Sequence, residues 1–178
     1  MVTIPPEDFP GRPGRRVILV SVLGTIARVA AVLAIYFLIP MDHAMNVATV
    51  TGLTLEILAF CGILTWQLRR IVRSRYPGLR ALEALGFTIP LFVLLFATAY
   101  FLLGNAQTAS FSQPLDRVDA MYFAVTVFTT VGFGDITAKS ETARIAVTVQ
   151  MMLDLLILGL VIRLVFSAIK IGQQRQRT

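Results

Sequence analysis

The residues best placed to do chemistry in this chain are Thr129, Thr130, Val131, Gly132, Phe133, Gly134 and Asp135. A backbone that strips water from an ion must aim successive carbonyl oxygens at one axis, and that requires left-handed dihedrals without a Cβ clash. Gly132 and Gly134 can supply them. Val131 and Phe133 can then turn their side chains away from the axis and pack as a wall, while the Thr130 hydroxyl adds an oxygen at the inner end. Such a ladder of oxygens replaces a hydration shell. A Gly-x-Gly pair also marks phosphate loops and tight turns. Those alternatives need a strand or a soluble nucleotide domain around them, and the flanking sequence offers neither.

What flanks the pattern is membrane-like. Of 178 residues, 56% are hydrophobic and 15% charged, with a mean hydropathy of +0.76, far from the balance of a soluble domain. The formal net charge of +6 does not argue for nucleic acid, because the basic residues gather at the ends of apolar segments rather than along a solvated face. The single cysteine, Cys61, lies inside an apolar run; it excludes an internal disulfide and reads as a small buried hydrophobe. The lone His43 falls in a turn with no metal-ligand spacing around it. No constellation supports an enzyme, and no cofactor is expected.

The elements that must position the pattern follow in order. Residues 1–16, rich in proline and glycine, form a tail. Apolar spans over 17–39 and 47–68 have the length of bilayer-crossing helices, and 17–39 is too long for a signal peptide. A basic linker over 69–80, broken by Pro77-Gly78, separates them from 81–168. There we expect an outer helix 81–103 with Pro90 inside it, a polar turret 104–114, and a short helix 115–129 capped by Asp116 or Asp119. The loop 130–135 and a long helix 141–167 complete the unit, and residues 169–178 form a tail. A helix of 15 residues or so cannot cross, so 115–129 must be re-entrant. Arginines at 12, 15, 16, 69, 70, 73, 75 and 80, with Lys170, Arg175 and Arg177, place the linker and both termini on the cytoplasmic side. The fold class expected is all-α, four transmembrane helices with a re-entrant helix and loop between the third and fourth.

The stretch Thr130 to Asp135 resembles the potassium-channel selectivity filter, whose signature reads Thr-Val-Gly-Tyr-Gly, often followed by aspartate. The resemblance covers the filter and its flanking helices, about half the chain, and leaves residues 1 to about 75 outside. It implies K⁺-lining carbonyls on Thr130, Val131, Gly132 and Phe133, with Gly134 also among the ion-binding filter residues and Asp135 at the outer mouth. K⁺ is then permeant ion rather than cofactor. Four copies must surround one axis, so a homotetramer in a lipid bilayer is implied, and a prokaryotic plasma membrane is the expected location. Tyr122, Phe123, Thr126 and Thr129 fall where such channels support the filter. Two departures stand out: Phe133 replaces the commoner tyrosine, and Thr126 stands where some relatives carry glutamate. Runner-up readings are a subunit of a potassium uptake transporter, or a non-conducting regulatory membrane protein on the same fold.

Charges in the middle of spans are costly and usually functional. Arg28 and Glu56 fall at similar depth, and an intramembrane ion pair between them is the economical reading. Asp154 sits where relatives often carry a hinge glycine, which would displace bending to Gly159. Gln150 and Asp154 share a helical face, either bordering the cavity or facing the first two helices, where Asp154 would compete for Arg28. Arg163 is a candidate gate residue or a snorkelling cation. The first two helices carry no arginine at every third position, so no voltage sensor is expected, and the tail after Ser167 is too short for a ligand-binding gating domain.

Overall fold

Long apolar runs without internal caps fold here as long helices, because in a bilayer a helix satisfies every backbone polar group within itself. A computed structural model describes residues 15–38, 47–73, 77–107 and 109–176. These form α1 Arg15–Leu38, α2 Val47–Val72, α3 Pro77–Ala106, α4 Arg117–Phe128 and α5 Glu141–Gln176. Four of the five are long and apolar enough to cross a membrane, with spans at Leu19–Leu38, Thr51–Ile71, Arg80–Ala106 and Glu141–Arg163. The fifth, α4, has 12 residues and so reaches only about 18 Å. Among the described residues there is no strand, only an isolated antiparallel bridge between Phe111 and Ala138. The all-α class expected from the sequence is what is observed. The turn holding His43, most of the amino-terminal tail and residues 177–178 lie outside the described residues.

Helix α3 is the element on which the others pack. It buries Phe92, Leu94, Ala97, Tyr100 and Phe101, and its rings continue into α4 and the segment before it. Tyr100 meets Phe123 edge-on at 5.1 Å between centroids, and Phe123 meets Phe111 at 5.6 Å. Helix α1 runs parallel to α3. At Gly86 an added Cβ would lie 3.4 Å from the Thr25 methyl, so glycine permits the close approach there. Helix α2 runs antiparallel to α3, joined by two polar rungs: Thr88 donates to Gln67 Oε1 at 2.8 Å, and Thr98 to Glu56 Oε1 at 3.3 Å. Helix α5 touches both α3 and α4.

The observed boundaries differ from the expected ones at three places. The basic linker is much shorter than 69–80, because α2 continues through Arg69 and Arg70 to Val72 and α3 begins at Pro77. Arginine is a good helix former, and proline fits a first helical position, where its missing N–H is no loss. Helix α3 also runs into the expected turret, ending at Ala106. Finally, α5 continues past 167 to Gln176, since no glycine or proline between 160 and 171 interrupts it.

Candidate functional site

Helix α4 begins with a reciprocal cap. The Asp119 N–H donates to Asp116 Oδ1 at 2.7 Å, and the Asp116 N–H donates back to Asp119 Oδ2 at 3.4 Å. Both aspartates named from the sequence therefore share the capping role. Asp116 is the N-cap and Asp119 the third helical residue.

At the other end the helix turns directly into the glycine loop, and the loop's own amides satisfy its last carbonyls. Thr130 N–H donates to the Val127 carbonyl at 2.9 Å, while Val131 and Gly132 both donate to the Thr126 carbonyl, at 3.1 and 3.2 Å. Thr129 adds a hydroxyl bond to the Val125 carbonyl at 2.8 Å. The Thr126 side chain bonds back to the Phe123 carbonyl at 2.8 Å. Thr126 thus works through its carbonyl, which ties two consecutive loop amides to the helix. Part of the negative charge that the carbonyl end of α4 would otherwise present is taken up in holding this loop.

Every second residue of the loop has a positive φ: Thr130 at 58°, Gly132 at 52° and Gly134 at 81°. A chain that alternates left- and right-handed dihedrals points successive carbonyls to one side rather than to opposite sides. Among the described residues, no hydrogen bond is made to the carbonyls of Thr130, Val131, Gly132, Phe133 or Gly134. The two glycines were legible from sequence. Thr130 was not, because a β-branched residue with positive φ is a local outlier.

The side chains of Val131 and Phe133 are 54% and 70% exposed in a single chain. The Phe133 ring stacks on Tyr122, centroids 6.4 Å apart and planes 3° from parallel. The Asp135 carboxylate beside the Tyr122 hydroxyl raises the phenol's pKa. One aromatic of α4 therefore contacts both the wall and the mouth residue of the loop. Its neighbour Phe123 points the other way, into the core.

After the loop the chain is stitched to the segment before α4. Ser112 N–H donates to the Thr137 carbonyl at 2.9 Å, and Lys139 N–H to the Ser110 carbonyl at 2.8 Å. The Ser112 hydroxyl accepts from Thr137 N–H at 3.0 Å and donates to the Asp135 carbonyl at 3.3 Å. Ser110, Phe111 and Leu115 are buried. The stretch 104–114, expected to be a polar outer turret, is a brace whose middle is folded into the core.

Two further ties escaped the sequence. Arg117, the first residue of α4, donates to the carbonyls of Tyr36 and Phe37 at 2.9 and 3.0 Å, and Tyr36 donates its hydroxyl to the Arg117 carbonyl at 2.8 Å. Helix α1 has no basic residue in its last turn, so α4 supplies the cation that its carbonyl end favours. Behind α4, the fully buried Gln150 accepts from the Tyr100 hydroxyl at 2.7 Å and donates to the Ala124 carbonyl at 3.0 Å. One α5 side chain thereby joins α3 and α4.

The mid-span charges are arranged differently from expectation. Arg28 and Glu56 do not form an ion pair. Arg28 Nε donates to the Gly24 carbonyl at 2.8 Å and the guanidinium lies 5.8 Å from the Phe87 ring centre, while Glu56 faces Thr98 on α3. The one ion pair among the described residues is Arg80 with Glu83, at 2.7 Å. The expected similar depth does not hold: Arg28 lies beside Phe87 and Glu56 beside Thr98 of α3, about 16 Å apart along that helix. Asp154 is 7% exposed within a single chain. It is turned toward Tyr100 and Gln150 rather than toward Arg28. The Gln150 amide interacts with it, but neither carboxylate oxygen makes a hydrogen bond of good geometry, since that amide is aimed at Ala124. Gly159 lies within the unbroken α5, and Arg163 is exposed toward its far end and engaged in an interaction.

Residues 88–170 match the family described as ion channel. The match begins within α3 and takes in α4, the loop and most of α5, just under half of the chain. It supports passive movement of ions and, with the four long apolar helices, a multi-pass membrane protein. The ion-channel family is not a class of enzymes. Neither a curated protein nor a solved structure matches the chain.

Proposed function

We propose that this protein is a potassium-selective channel, in which four copies surround one axis and Thr130, Val131, Gly132 and Phe133 line the path with carbonyl oxygens. The observation that carries the reading is the alternation of dihedral sign through the loop, with Val131 and Gly132 N–H both tied back to Thr126. Amides anchored behind leave the carbonyls for an ion in front. A single chain supplies one side of such a ring, so closure requires a symmetric assembly. The apolar residues left uncovered in a single chain along α4 and the loop, Val118, Val125, Val131 and Phe133, are surfaces that neighbouring copies would bury.

In this reading Asp135 sits at the outer mouth, held by Tyr122, and the arginine-rich ends of α2 and α3 face the cytoplasm of a plasma membrane. Purified protein in liposomes with an outward K⁺ gradient should take up Rb⁺ without energy input, and Ba²⁺ should block it. The oligomer in detergent should be a tetramer. Flux that required an energy source would favour an uptake transporter. No flux from a well-folded tetramer would favour a non-conducting regulatory protein.

A further inference from the structure

At the arginine-rich end of the helix bundle, α1, α2 and α3 border a shallow crevice that is open to the surroundings. It lies before residue 88 and thus outside the ion-channel match. Each helix contributes one arginine to its lining: Arg28 from α1, Arg70 from α2 and Arg80 from α3, with Glu83 as the one acidic residue there. Glu83 is paired with Arg80 at 2.7 Å. Three guanidinium groups against one carboxylate leave the crevice with a surplus of two positive charges.

Two of these cations are held on aromatic faces. Arg70 lies over Trp66 at 4.8 Å, and Arg28 over Phe87 at 5.8 Å. A guanidinium held against a ring still offers its terminal N–H donors to an anion. Arg28 also belongs to an apolar span, Leu19–Leu38, where a cation is expensive unless it is compensated. Its Nε bond to Gly24, one turn back, directs the head toward the arginine-rich end.

We propose that this crevice binds the phosphate of an anionic membrane lipid, gripped by the Arg28 and Arg70 guanidinium groups. Arginine forks match phosphate oxygens two at a time. A basic pocket between membrane-crossing helices is reached by a headgroup from the bilayer more readily than by an ion from solution. The exposed indole of Trp66 suits the interfacial depth at which such headgroups lie. The competing account is that the arginines merely snorkel to water, which gives no preference between lipids of equal chain length.

Trp66 is the single tryptophan of the chain, so its fluorescence reports on the crevice alone. The full-length protein in vesicles is titrated with brominated phosphatidylglycerol or brominated phosphatidylcholine in an unbrominated zwitterionic background. The anionic lipid should quench Trp66 at a lower mole fraction, by about fivefold for each arginine engaged. Arg28→Gln and Arg70→Gln should each reduce that preference and together abolish it, whereas Arg144→Gln on α5 should leave it intact. Equal quenching by both lipids in the wild-type protein overturns the proposal, and needs no variant to fold. A preference that survives the double substitution also overturns it. Relief of quenching by millimolar inorganic phosphate would reassign the crevice to a soluble anion. None of these readouts depends on K⁺ conduction, so failure here and failure of the channel reading are separable.

Discussion

Replacing Arg117 by methionine keeps the aliphatic stem and deletes the guanidinium that joins α1 to α4. The bonds lost are those to the Tyr36 and Phe37 carbonyls, at 2.9 and 3.0 Å, together with the guanidinium's position 5.5 Å from the Phe101 ring centre. A hydrogen bond to a charged group is worth about 1.5–3 kcal/mol. Arg117 is only half-buried, so the lower end of that range applies to each bond. Loss of a cation from a helix carbonyl end adds about 0.3–1 kcal/mol. Undocking of the last turn of α1 should therefore become easier by about 3–4 kcal/mol, which is about 140- to 700-fold in its opening equilibrium. Amide hydrogen exchange of a peptide covering Leu33 to Leu38 reads this directly. Peptides from α5 should not change, and α4 should keep its Asp116–Asp119 cap. Tyr36→Phe removes one neutral donor and should cost about 1 kcal/mol. The double variant should fall short of the sum, because each side chain bonds the other residue's backbone. If Arg117→Met speeds exchange at the end of α1 less than about threefold, or speeds it evenly along all five helices, then the guanidinium is not the tie described here.

Gly134 has a φ of 81° and an added Cβ would meet nothing within 4 Å. Gly134→Ala should therefore fail through its dihedral, at about 1–2 kcal/mol, and abolish the preference for Rb⁺ over Na⁺ in flux; Gly52→Ala, in α2 with equally open space, should preserve it. Asp135→Asn should bring the Tyr122 phenol back down toward the ordinary value of about 10. The carboxylate that favours the protonated phenol and opposes the phenolate would be gone, and NMR titration of labelled tyrosine reads the change; no downward shift would refute the proximity. Asp154→Asn keeps the shape while removing a buried charge whose oxygens make no good hydrogen bond. It should hold or raise the melting temperature, since such a group costs about 1–3 kcal/mol; a clear fall would show that the carboxylate has a partner in the assembled protein.

The four long helices were legible because near-continuous apolar runs of bilayer length have few alternatives, and α4 was legible because it is too short to cross and opens on paired aspartates. The loop glycines were legible for a backbone reason that is local. What escaped was tertiary. The Arg28–Glu56 pair was inferred from depth counted along the sequence, but the two residues lie beside Phe87 and Thr98 of α3, about 16 Å apart along that helix. Arg117 gave no signal, since a cation at the start of a helix works against that helix's own dipole; it makes sense only once the carbonyl end of α1 is seen beside it. Ser110 and Ser112 read as polar turret, although serines can serve as well in a brace, here through the Ser110 backbone and the Ser112 backbone and hydroxyl.

Thr130 shows how the loop and its helix depend on each other. A β-branched residue at φ 58° stores about 1–3 kcal/mol of local strain, which persists only where surrounding contacts over-determine the backbone. Those contacts are visible on both sides. Three successive amides, Thr130 to Gly132, are fastened to carbonyls of α4, and beyond the loop Asp135, Thr137 and Lys139 are fastened to the segment 110–112. Strain held between two fixed ends cannot relax by sliding, so the carbonyls between them keep one orientation without any protein partner of their own. A glycine at 130 would remove the strain and with it the hydroxyl, leaving a loop freer to rotate its peptide planes. In the proposed channel, threonine at 130 would present its oxygen next to a rigid row of carbonyls, which gives the strain a physical reason.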